Sequence, residues 1–300
     1  MAGNEQFKSV AASMARMPAD RRRPADLEIT SPANPRIKQL VALRRRRSRE
    51  QAGVTLVEGL AEIELALAAG VRPQSLYFCP ALASPESLPL AARAEALGAD
   101  VAQVSRPVFE KISYREGPDG WLAVVPSVTS TLDTIELGPH PLVLVCAGLE
   151  KPGNLGAILR TADAAGVSAV IAADPVTDWG NPNVVRASKG AVFTVPVASG
   201  TSAEVLRWIA GLGLRIVAAT PDAAQLVTDA DLTGPTAIAV GAEQTGLGRD
   251  WLERAELRVR IPMFGKADSL NVSISAAIIA YEAVRQRMHA ADLNSGQPVR

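Results

Sequence analysis

Cysteine and histidine are scarce in this sequence, and their scarcity excludes several classes of site. The 300 residues contain two cysteines and two histidines. Cys79 and Cys146 lie far apart inside apolar runs, which argues against a disulfide framework and a thiolate metal cluster. His140 and His289 cannot supply a multi-histidine metal site. We therefore predict that the protein binds no metal.

Long apolar runs are absent as well. No stretch approaches the roughly 18 uninterrupted apolar residues of a membrane helix, and the first residues lack the compact apolar region of a secretory signal. Hydrophobic residues nevertheless make up 48% of the chain and charged residues 21%, which is typical of a globular protein with a sizeable core. We expect a cytoplasmic protein without membrane contact.

Two glycine patterns that hold nucleotides are also missing. The chain has no G-x-x-x-x-G-K-[ST] loop, and no G-x-G-x-x-G opens a helix after a strand. These absences argue against a P-loop nucleotide hydrolase and a dinucleotide-dependent oxidoreductase. Aromatic residues make up only 4% of the chain, so most rings are needed for packing.

Basic charge is concentrated at the front of the chain, although the formal net charge is +0. Residues 1–50 hold twelve Lys and Arg against five Asp and Glu, and the densest runs lie at 21–23 and 44–49. Guanidinium groups in such runs can bind phosphate oxygens in pairs, which points to nucleic acid. A solvated helix face and a disordered tail explain the same runs, and an arginine-rich mitochondrial presequence explains the first of them.

The length is sufficient for two domains, and composition divides the chain into five segments. Residues 1–26 lack periodicity and are predicted to be a basic flexible tail. Residues 27–126 alternate short strands with helices, including one helix with a basic end near residues 44–49. Residues 127–140 are rich in Pro, Ser, Thr and Gly, as linkers are. A second domain follows at 141–290, and a short tail at 291–300.

The second domain is predicted to be an α/β domain with a parallel sheet. Its strands are continuous apolar runs, which is typical of strands covered by helices on both faces. These runs span residues 142–147, 169–173, 192–197, 215–219, 237–240 and 257–261. Helices fit between them at 155–165, 203–212 and 251–255. A last helix at 269–288 carries an apolar stripe, which consists of Leu270, Ile274, Ala277, Ile278, Tyr281 and Val284.

Three polar clusters follow strands of this sheet, and ligands in open α/β sheets bind beyond such strand ends. The first, at 148–156, runs into a helix that Asn154 can cap and from which Arg160 could lean back toward the cluster. The second, at 240–248, holds Glu243 among three glycines. The third, at 261–273, holds Asn271 and Ser273 in the first turn of the last helix. Each cluster taken singly also has a simpler explanation. A helix cap and a surface arginine explain the first cluster, an irregular loop explains the second, and a helix cap explains the third.

Together the clusters resemble the SpoU/TrmH family of SPOUT RNA 2′-O-ribose methyltransferases. The three family motifs are matched by Asn154-x-Gly156-x-x-x-Arg160, by Gly241-Ala242-Glu243-x-x-Gly246-Leu247, and by Ile261-Pro262-Met263 through Ser269-Leu270-Asn271-Val272-Ser273. Residues 186–197 look like the segment that connects the motifs, so the resemblance covers about residues 140–288. Residues 29–70 bear a fainter likeness to the ribosomal-protein-like substrate-binding domain that often precedes the catalytic one.

The resemblance implies a fold, a cofactor and an assembly. The C-terminal SPOUT domain would contain the parallel sheet and a deep trefoil knot, and a smaller α/β substrate-binding domain would precede it. S-adenosylmethionine would be the methyl donor, held in the knot. The chain would form a homodimer with the active site near the subunit interface. By position, the cofactor-binding residues would be Thr220, Val240, Gly241, Ile261 and Leu270.

The resemblance also assigns catalytic roles to Asn154, Arg160, Glu243, Ser269 and Asn271. A guanidinium stays protonated in proteins, so we expect Arg160 to stabilise alkoxide charge and anchor the adjacent phosphate rather than to act as a base. Water or that phosphate would take the hydroxyl proton. Glu243 would be the base instead if burial raised its pKa.

A ribose 2′-OH acceptor makes RNA the expected substrate. The additional front domain favours ribosomal RNA, most simply 23S, with transfer RNA as the alternative. A non-catalytic RNA-binding or assembly factor is a further alternative, which the presence of all five catalytic residues disfavours. The front arginines would bind RNA phosphates, and those predicted to do so are Arg44, Arg45, Arg46 and Arg47. Tyr77, Phe78 and Tyr114 could stack on bases, although packing in the core is the simpler interpretation.

Overall fold

A computed structural model of the protein describes residues 28–128 and 131–295. The predicted tail at 1–26 lies outside the described residues. The chain divides into two compact units, of which the first ends at Ser127 and the second begins at Val128. The segment predicted to be a linker belongs largely to the second unit, because Leu132, Ile135 and Leu137 pack against the core of that unit.

The first unit is built on a five-stranded mixed sheet. Its strands are β1 (Glu28–Ile29), β2 (Val54–Glu58), β3 (Ser75–Phe78), β4 (Asp100–Val104) and β5 (Trp121–Pro126), in the order β1-β4-β3-β5-β2. β4 runs parallel to β1 and β3, whereas β5 runs antiparallel to β2 and β3. The helices are α1 (Pro35–Ala42), α2 (Arg46–Ala52), α3 (Leu60–Ala68), α4 (Pro89–Ala96) and α5 (Arg106–Ile112). The alternating α/β pattern predicted for this region is confirmed.

The arginine-rich segment is not the end of one helix, and that prediction was wrong. α1 begins where the Asn34 side chain accepts a hydrogen bond from the Arg36 amide, and it ends at Ala42. A second helix, α2, then begins within the arginine run. The Arg49 side chain is 3% exposed and donates to the carbonyls of Leu43 and Arg44. It thereby satisfies acceptors that the end of α1 leaves unpaired, which stabilises the break.

The second unit contains a seven-stranded sheet in which every neighbouring pair is parallel. Its strands are β6 (Leu142–Ala147), β7 (Ala169–Ala173), β8 (Val197–Gly200), β9 (Arg215–Ala219), β10 (Gln225–Leu226), β11 (Thr236–Val240) and β12 (Leu257–Arg260). The strand order is β10-β12-β9-β11-β6-β7-β8. The helices are α6 (Pro152–Ala164), α7 (Pro182–Ala187), α8 (Ser202–Gly211), α9 (Arg249–Arg254) and α10 (Val272–Ser295). The predicted parallel sheet is confirmed.

Two predicted elements of this unit differ in the structure. The strand expected at 192–197 begins only at Val197, and Ala191–Phe193 forms a 3-10 turn. Pro196 has no N–H to contribute to a strand ladder, which explains the late start. The last helix begins at Val272 instead of Ser269 and continues to Ser295, so the tail predicted at 291–300 starts inside it. Residues 296–300 lie outside the described part of the chain.

The apolar stripe predicted along the last helix faces solvent. Ile274, Ile278 and Tyr281 are 50%, 38% and 48% exposed. A different set of α10 residues is buried in the core, namely Val272, Ala276, Ile279, Ala280 and Ala283. α10 is therefore apolar on two faces, and only one of them is covered by its own unit.

The described residues contain neither a membrane-spanning helix nor a cluster of metal ligands. None of their helices is long and apolar enough to cross a membrane. Within the same ranges, no group of three or more His, Cys, Asp or Glu side chains is placed to hold a metal ion.

Candidate active site

A cavity of about 430 Å³ lies beyond the C-terminal ends of three strands of the second unit. β12, β9 and β11 are neighbours and run parallel, so the loops that follow them meet at one edge of the sheet. The residues that lead into α10 and the first turns of α10 itself form the remaining wall. This volume is in the range of roughly 300–1,000 Å³ that is usual for small-molecule sites.

All five residues predicted to bind the cofactor line this cavity. Thr220 follows β9, Val240 and Gly241 end and follow β11, and Ile261 follows β12. Leu270 comes from the approach to α10. The sequence separates these residues by up to 50 positions, and the parallel sheet brings them together because their strands end at the same edge.

The loop after β11 folds back on itself at Gly241. Ala242 and Gly246 pair across this loop, and the Gly246 amide donates to the Ala242 carbonyl at 2.8 Å. A Cβ atom at position 241 would lie 2.1 Å from the carbonyl carbon of Gly246. Only glycine fits there, so the close return of the loop depends on this residue.

A polar cluster of three side chains from the three motifs lies beside the cavity. The Asn154 amide donates to Glu243 Oε1 at 2.6 Å. The Asn271 amide donates to Asn154 Oδ1 at 3.1 Å and to Glu243 Oε1 at 3.3 Å. Asn271 Oδ1 in turn accepts hydrogen bonds from the amide and the hydroxyl of Ser273, which fixes it to the first turn of α10. The motifs therefore meet through direct contacts.

Asn154 does not cap α6, contrary to the prediction. The helix begins at Pro152, so Asn154 lies within its first turn, and Lys151 occupies the capping position without a side-chain hydrogen bond to the helix. The Asn154 side chain is left available for Glu243. Gly156, on the same helix, has a structural role, because a Cβ there would lie 2.5 Å from the Cβ of Ala187. Glycine at this position lets α6 pack closely against the end of α7.

Glu243 is not suited to act as a base. Its side chain is 29% exposed and forms an ion pair with the ammonium group of Lys151. The hydrogen bonds from Lys151 and Asn154 hold the pKa of Glu243 below its ordinary value. The alternative in which burial raises the pKa of Glu243 is therefore wrong. The carboxylate is a charged acceptor that orients its neighbours.

Two predicted catalytic residues form no hydrogen bond with this cluster within the described part of the chain. Ser269 lines the cavity, but no hydrogen bond of its side chain is found within the described ranges. Arg160 is exposed on α6 and does not line the cavity. Six residues of helix place it about 9 Å from Asn154 along the axis and about 120° around it. The expected approach of Arg160 to the cluster is not observed within one chain, because its helix position points it elsewhere.

Comparison with known proteins gives consistent matches over both units. Residues 141–281 match the SpoU rRNA Methylase family, and residues 34–123 match the MRM3-like substrate binding domain. A 23S rRNA (uridine(2479)-2′-O)-methyltransferase of Streptomyces viridochromogenes is 34% identical over 277 residues, which are 89% of this chain and 95% of that protein. The chain belongs to the SpoU rRNA methylase family.

Two solved structures extend the likeness to the fold. A crystal structure of an RNA 2′-O ribose methyltransferase is 45% identical, with a TM-score of 0.78, and the match covers 87% of this chain and 100% of that one. An AdoMet-bound rRNA methyltransferase from Sinorhizobium meliloti is 32% identical, with a TM-score of 0.80 over 86% of this chain and 97% of that one. This SpoU protein is accordingly an S-adenosylmethionine-dependent RNA 2′-O-ribose methyltransferase.

The cavity has the chemistry that S-adenosylmethionine needs. Ile261 and Leu270 offer apolar contacts suited to an adenine ring, and Thr220 offers a hydroxyl for hydrogen bonding. The carboxylates of Glu243 and Asp268 also line the cavity and complement a positively charged sulfonium. The residues present therefore fit the methyl donor.

Lys151 is a site residue of this SpoU protein that the sequence interpretation missed. It contacts Glu243 across 92 positions of sequence. A signal was available, since Lys151 lies in the first polar cluster, three residues before Asn154. Its partner could not be identified without knowing which strand ends are neighbours.

The predicted RNA-binding arginines of the first unit are not equivalent. Arg44 donates to the carbonyls of Lys111 and Ser113 at 2.8 and 2.7 Å, and its guanidinium lies 5.1 Å from the ring centre of Tyr114. Arg46 forms an ion pair with Glu50. Arg45 and Arg47 are exposed, and no internal partner is found for them within the part of the chain that the structure describes.

The aromatic residues proposed to stack on bases belong to the core of the first unit. Tyr77 and Phe78 are 4% and 8% exposed. Phe78 stacks on the ring of Trp121 at a centroid distance of 5.4 Å. Tyr114 packs against the same core and against Arg44. The packing interpretation is confirmed.

Proposed function

We propose that this chain, acting as a homodimer in the cytoplasm, methylates a ribose 2′-OH of 23S ribosomal RNA. The observation that carries the proposal is the cluster of Asn154, Glu243 and Asn271 beside the cavity. The choice of 23S RNA is supported by a full-length relative that is named for that substrate.

In this proposal the reacting groups are positioned by the polar cluster. S-adenosylmethionine supplies a methyl group that its sulfonium already activates. The loop at Gly241, with Ile261 and Leu270, holds the cofactor, and Asn154 and Asn271 orient the ribose. The ribose 2′-oxygen must lie in line with the methyl group and lose its proton.

The proton leaves to water or to the neighbouring phosphate. Glu243 is a poor acceptor because its pKa is lowered by Lys151 and Asn154. A guanidinium is no acceptor at all, so Arg160 stabilises the alkoxide charge that develops and anchors the phosphate. Ser269 supports the ribose from the cavity wall.

The homodimer is supported by the exposed stripe of α10, defined by Ile274, Ile278 and Tyr281, and by exposed Leu270 two residues before the helix. Apolar side chains in a row on one helix face are stabilised by burial against a partner surface. A second copy of the chain is the occupant we propose, because the stripe begins next to the cavity, where exposed Leu270 lines the wall just before α10. A dimer through this face lies beside the active site, where Arg160 of either subunit can take part.

RNA affinity in this proposal comes partly from the first unit. Arg45 and Arg47 bind phosphates of the substrate, and each phosphate contact makes binding weaker as salt rises. Arg44 and Arg49 instead stabilise the arginine-rich segment, because their guanidinium groups donate hydrogen bonds to backbone carbonyls.

The test is incubation with tritiated S-adenosylmethionine and, in separate reactions, unmodified transcripts of 23S, 16S and transfer RNA, followed by digestion to nucleosides. We expect a labelled 2′-O-methylnucleoside from the 23S reaction only. Label in transfer RNA alone would show that transfer RNA, and not 23S RNA, is the substrate. Label in no pool would overturn the proposed substrate class, provided that calorimetry shows binding of the cofactor. The Asn154→Ala variant is the control for enzyme-dependent label.

A further inference from the structure

Phe264 is the most exposed large apolar side chain in the described part of the protein. It is 96% exposed and lies in the loop between β12 and α10. The preceding residue, Met263, lines the cavity, and so does Asp268 at the other end of the loop. Among the described residues, Tyr281 on the α10 stripe is the only other exposed aromatic side chain. Phe264 is therefore a lone ring beside the methyl-donor site.

We infer that Phe264 stacks on an unpaired base next to the target ribose and that Lys266 binds a phosphate of the same strand. This inference rests on the proposed function in one respect, that the substrate is RNA. Bases released from their neighbours are commonly held against aromatic side chains, and any base can stack in this way. Stacking of such a base would hold the strand open next to the target ribose and present its 2′-OH to the donor methyl.

The surroundings of Phe264 favour this role. With 96% of its surface exposed, the ring contributes little to the folding of its own chain. Lys266 is exposed two residues later, and no hydrogen bond or ion pair of its side chain is found in the ranges that the structure describes. Gly265 separates the two and leaves room at the tip of the loop. An apolar face and a positive charge two residues apart match a base and its phosphate.

The experiment measures binding of a fluorescein-labelled oligouridylate by fluorescence anisotropy across a series of salt concentrations. Removal of one stacking ring predicts that Phe264→Ala weakens binding by about 5- to 150-fold. Phe264→Trp should restore the affinity. Leu212→Ala, which truncates an apolar residue that is 46% exposed on the end of α8, is the matched control and should change nothing.

The salt dependence separates the two contacts. Phe264→Ala should leave the slope of log K against log salt unchanged, whereas Lys266→Ala should reduce its magnitude by about 0.7, the value for one phosphate on a single strand. Equal affinity of Phe264→Ala and the parent protein, or no measurable binding by the parent, would overturn the inference. So would a Phe264→Ala protein that sediments as a monomer when the parent is a dimer, because the ring would then belong to the subunit interface.

Failure of the proposed function has a different signature. If the protein binds oligouridylate through Phe264 but labels no ribosomal RNA, the proposed ribosomal RNA substrate is wrong and the stacking interaction still holds. A protein that labels 23S RNA with equal efficiency when Phe264 is alanine would refute the stacking interaction and leave the substrate intact.

Discussion

Gly241 shows at the scale of one residue how the backbone shapes the donor cavity. Its missing side chain allows Gly246 to approach to a distance at which a Cβ would collide. Gly241→Ala should therefore displace the loop and weaken S-adenosylmethionine binding by about tenfold or more, which is about 1.4 kcal/mol. Isothermal titration calorimetry measures this. Gly248→Ala is the control, because nothing lies within 4 Å of a Cβ there and its φ is −63°. Equal affinities of the two variants would contradict the prediction.

Lys151 controls the protonation of Glu243, which is a second effect at this scale. The pKa of Glu243 is lowered mainly by Lys151, so the hydrogen bonds that need its carboxylate persist as pH falls through the ordinary glutamate range. Lys151→Met should raise the pKa of Glu243. The fall of kcat on the acid side of its pH profile, the acid limb, should then occur at higher pH. The pH profile of kcat measures the shift. Arg249→Met, which breaks an exposed ion pair with Glu253, should leave the limb in place. An unmoved limb in Lys151→Met would show that Glu243 is not coupled to turnover.

Arg160 is separated from the cavity, and that separation predicts how its variants behave. Arg160→Ala should leave the affinity for S-adenosylmethionine unchanged, because the residue does not line the cavity. It should lower kcat by about 100- to 1,000-fold if the guanidinium stabilises alkoxide charge. Calorimetry and single-turnover methylation measure the two effects separately. Unchanged turnover would remove Arg160 from the reaction.

At the scale of elements, the segment between α1 and α2 divides the arginines into structural and exposed ones. Arg44→Ala removes two charged hydrogen bonds to carbonyls and the interaction with the Tyr114 ring, and should lower the free energy of unfolding by about 1.5 kcal/mol. The Arg45→Ala/Arg47→Ala double variant should keep its stability. It should instead bind RNA less tightly, with a salt slope smaller by about 0.7 for each phosphate that is no longer neutralised. Urea unfolding and anisotropy titrations distinguish the two. A stable Arg44→Ala protein together with a destabilised Arg45→Ala/Arg47→Ala protein would refute the division into structural and exposed arginines.

Elements also show where periodicity predicts well and where it does not. The strands at 142–147, 169–173 and 215–219 were predicted correctly. Strands that are buried on both faces are continuous apolar runs, and such runs are easy to recognise in a sequence. On α10, apolar residues recur at helical spacing on two faces, and the spacing alone cannot say which face is the core. The family resemblance predicted five of the residues that line the cavity, but not Lys151. The direction of helical side chains predicted that Arg160 would approach the first polar cluster, and among the described residues no hydrogen bond joins them.

At the scale of the whole molecule, the exposed stripe on α10 determines the expected assembly. Ile278→Glu places a charge in the centre of that stripe and should convert a dimer to a monomer, because burying an unpaired carboxylate is strongly unfavourable. Methylation should fall with it, since the stripe begins beside Leu270, which lines the cavity. Sedimentation velocity gives the assembly state. Leu212→Glu, at another exposed apolar position, should remain dimeric. A dimeric Ile278→Glu protein would place the interface elsewhere.

The sequence alone determined the class of fold and, through the family resemblance, the three motifs and five of the residues that line the cavity, because apolar runs and short motifs are local properties of the chain. Tertiary structure decided what depends on neighbours in space. It paired Lys151 with Glu243 and so lowered the pKa of that carboxyl, it used Arg44 to hold carbonyls, and it buried one apolar face of α10 rather than the other. The trefoil knot stays a prediction, because strand order and register do not specify how the chain is threaded. Contacts between residues 89 to 117 positions apart, such as those of Asn154 with Glu243 and Asn271, exist only once the parallel strands end at one edge.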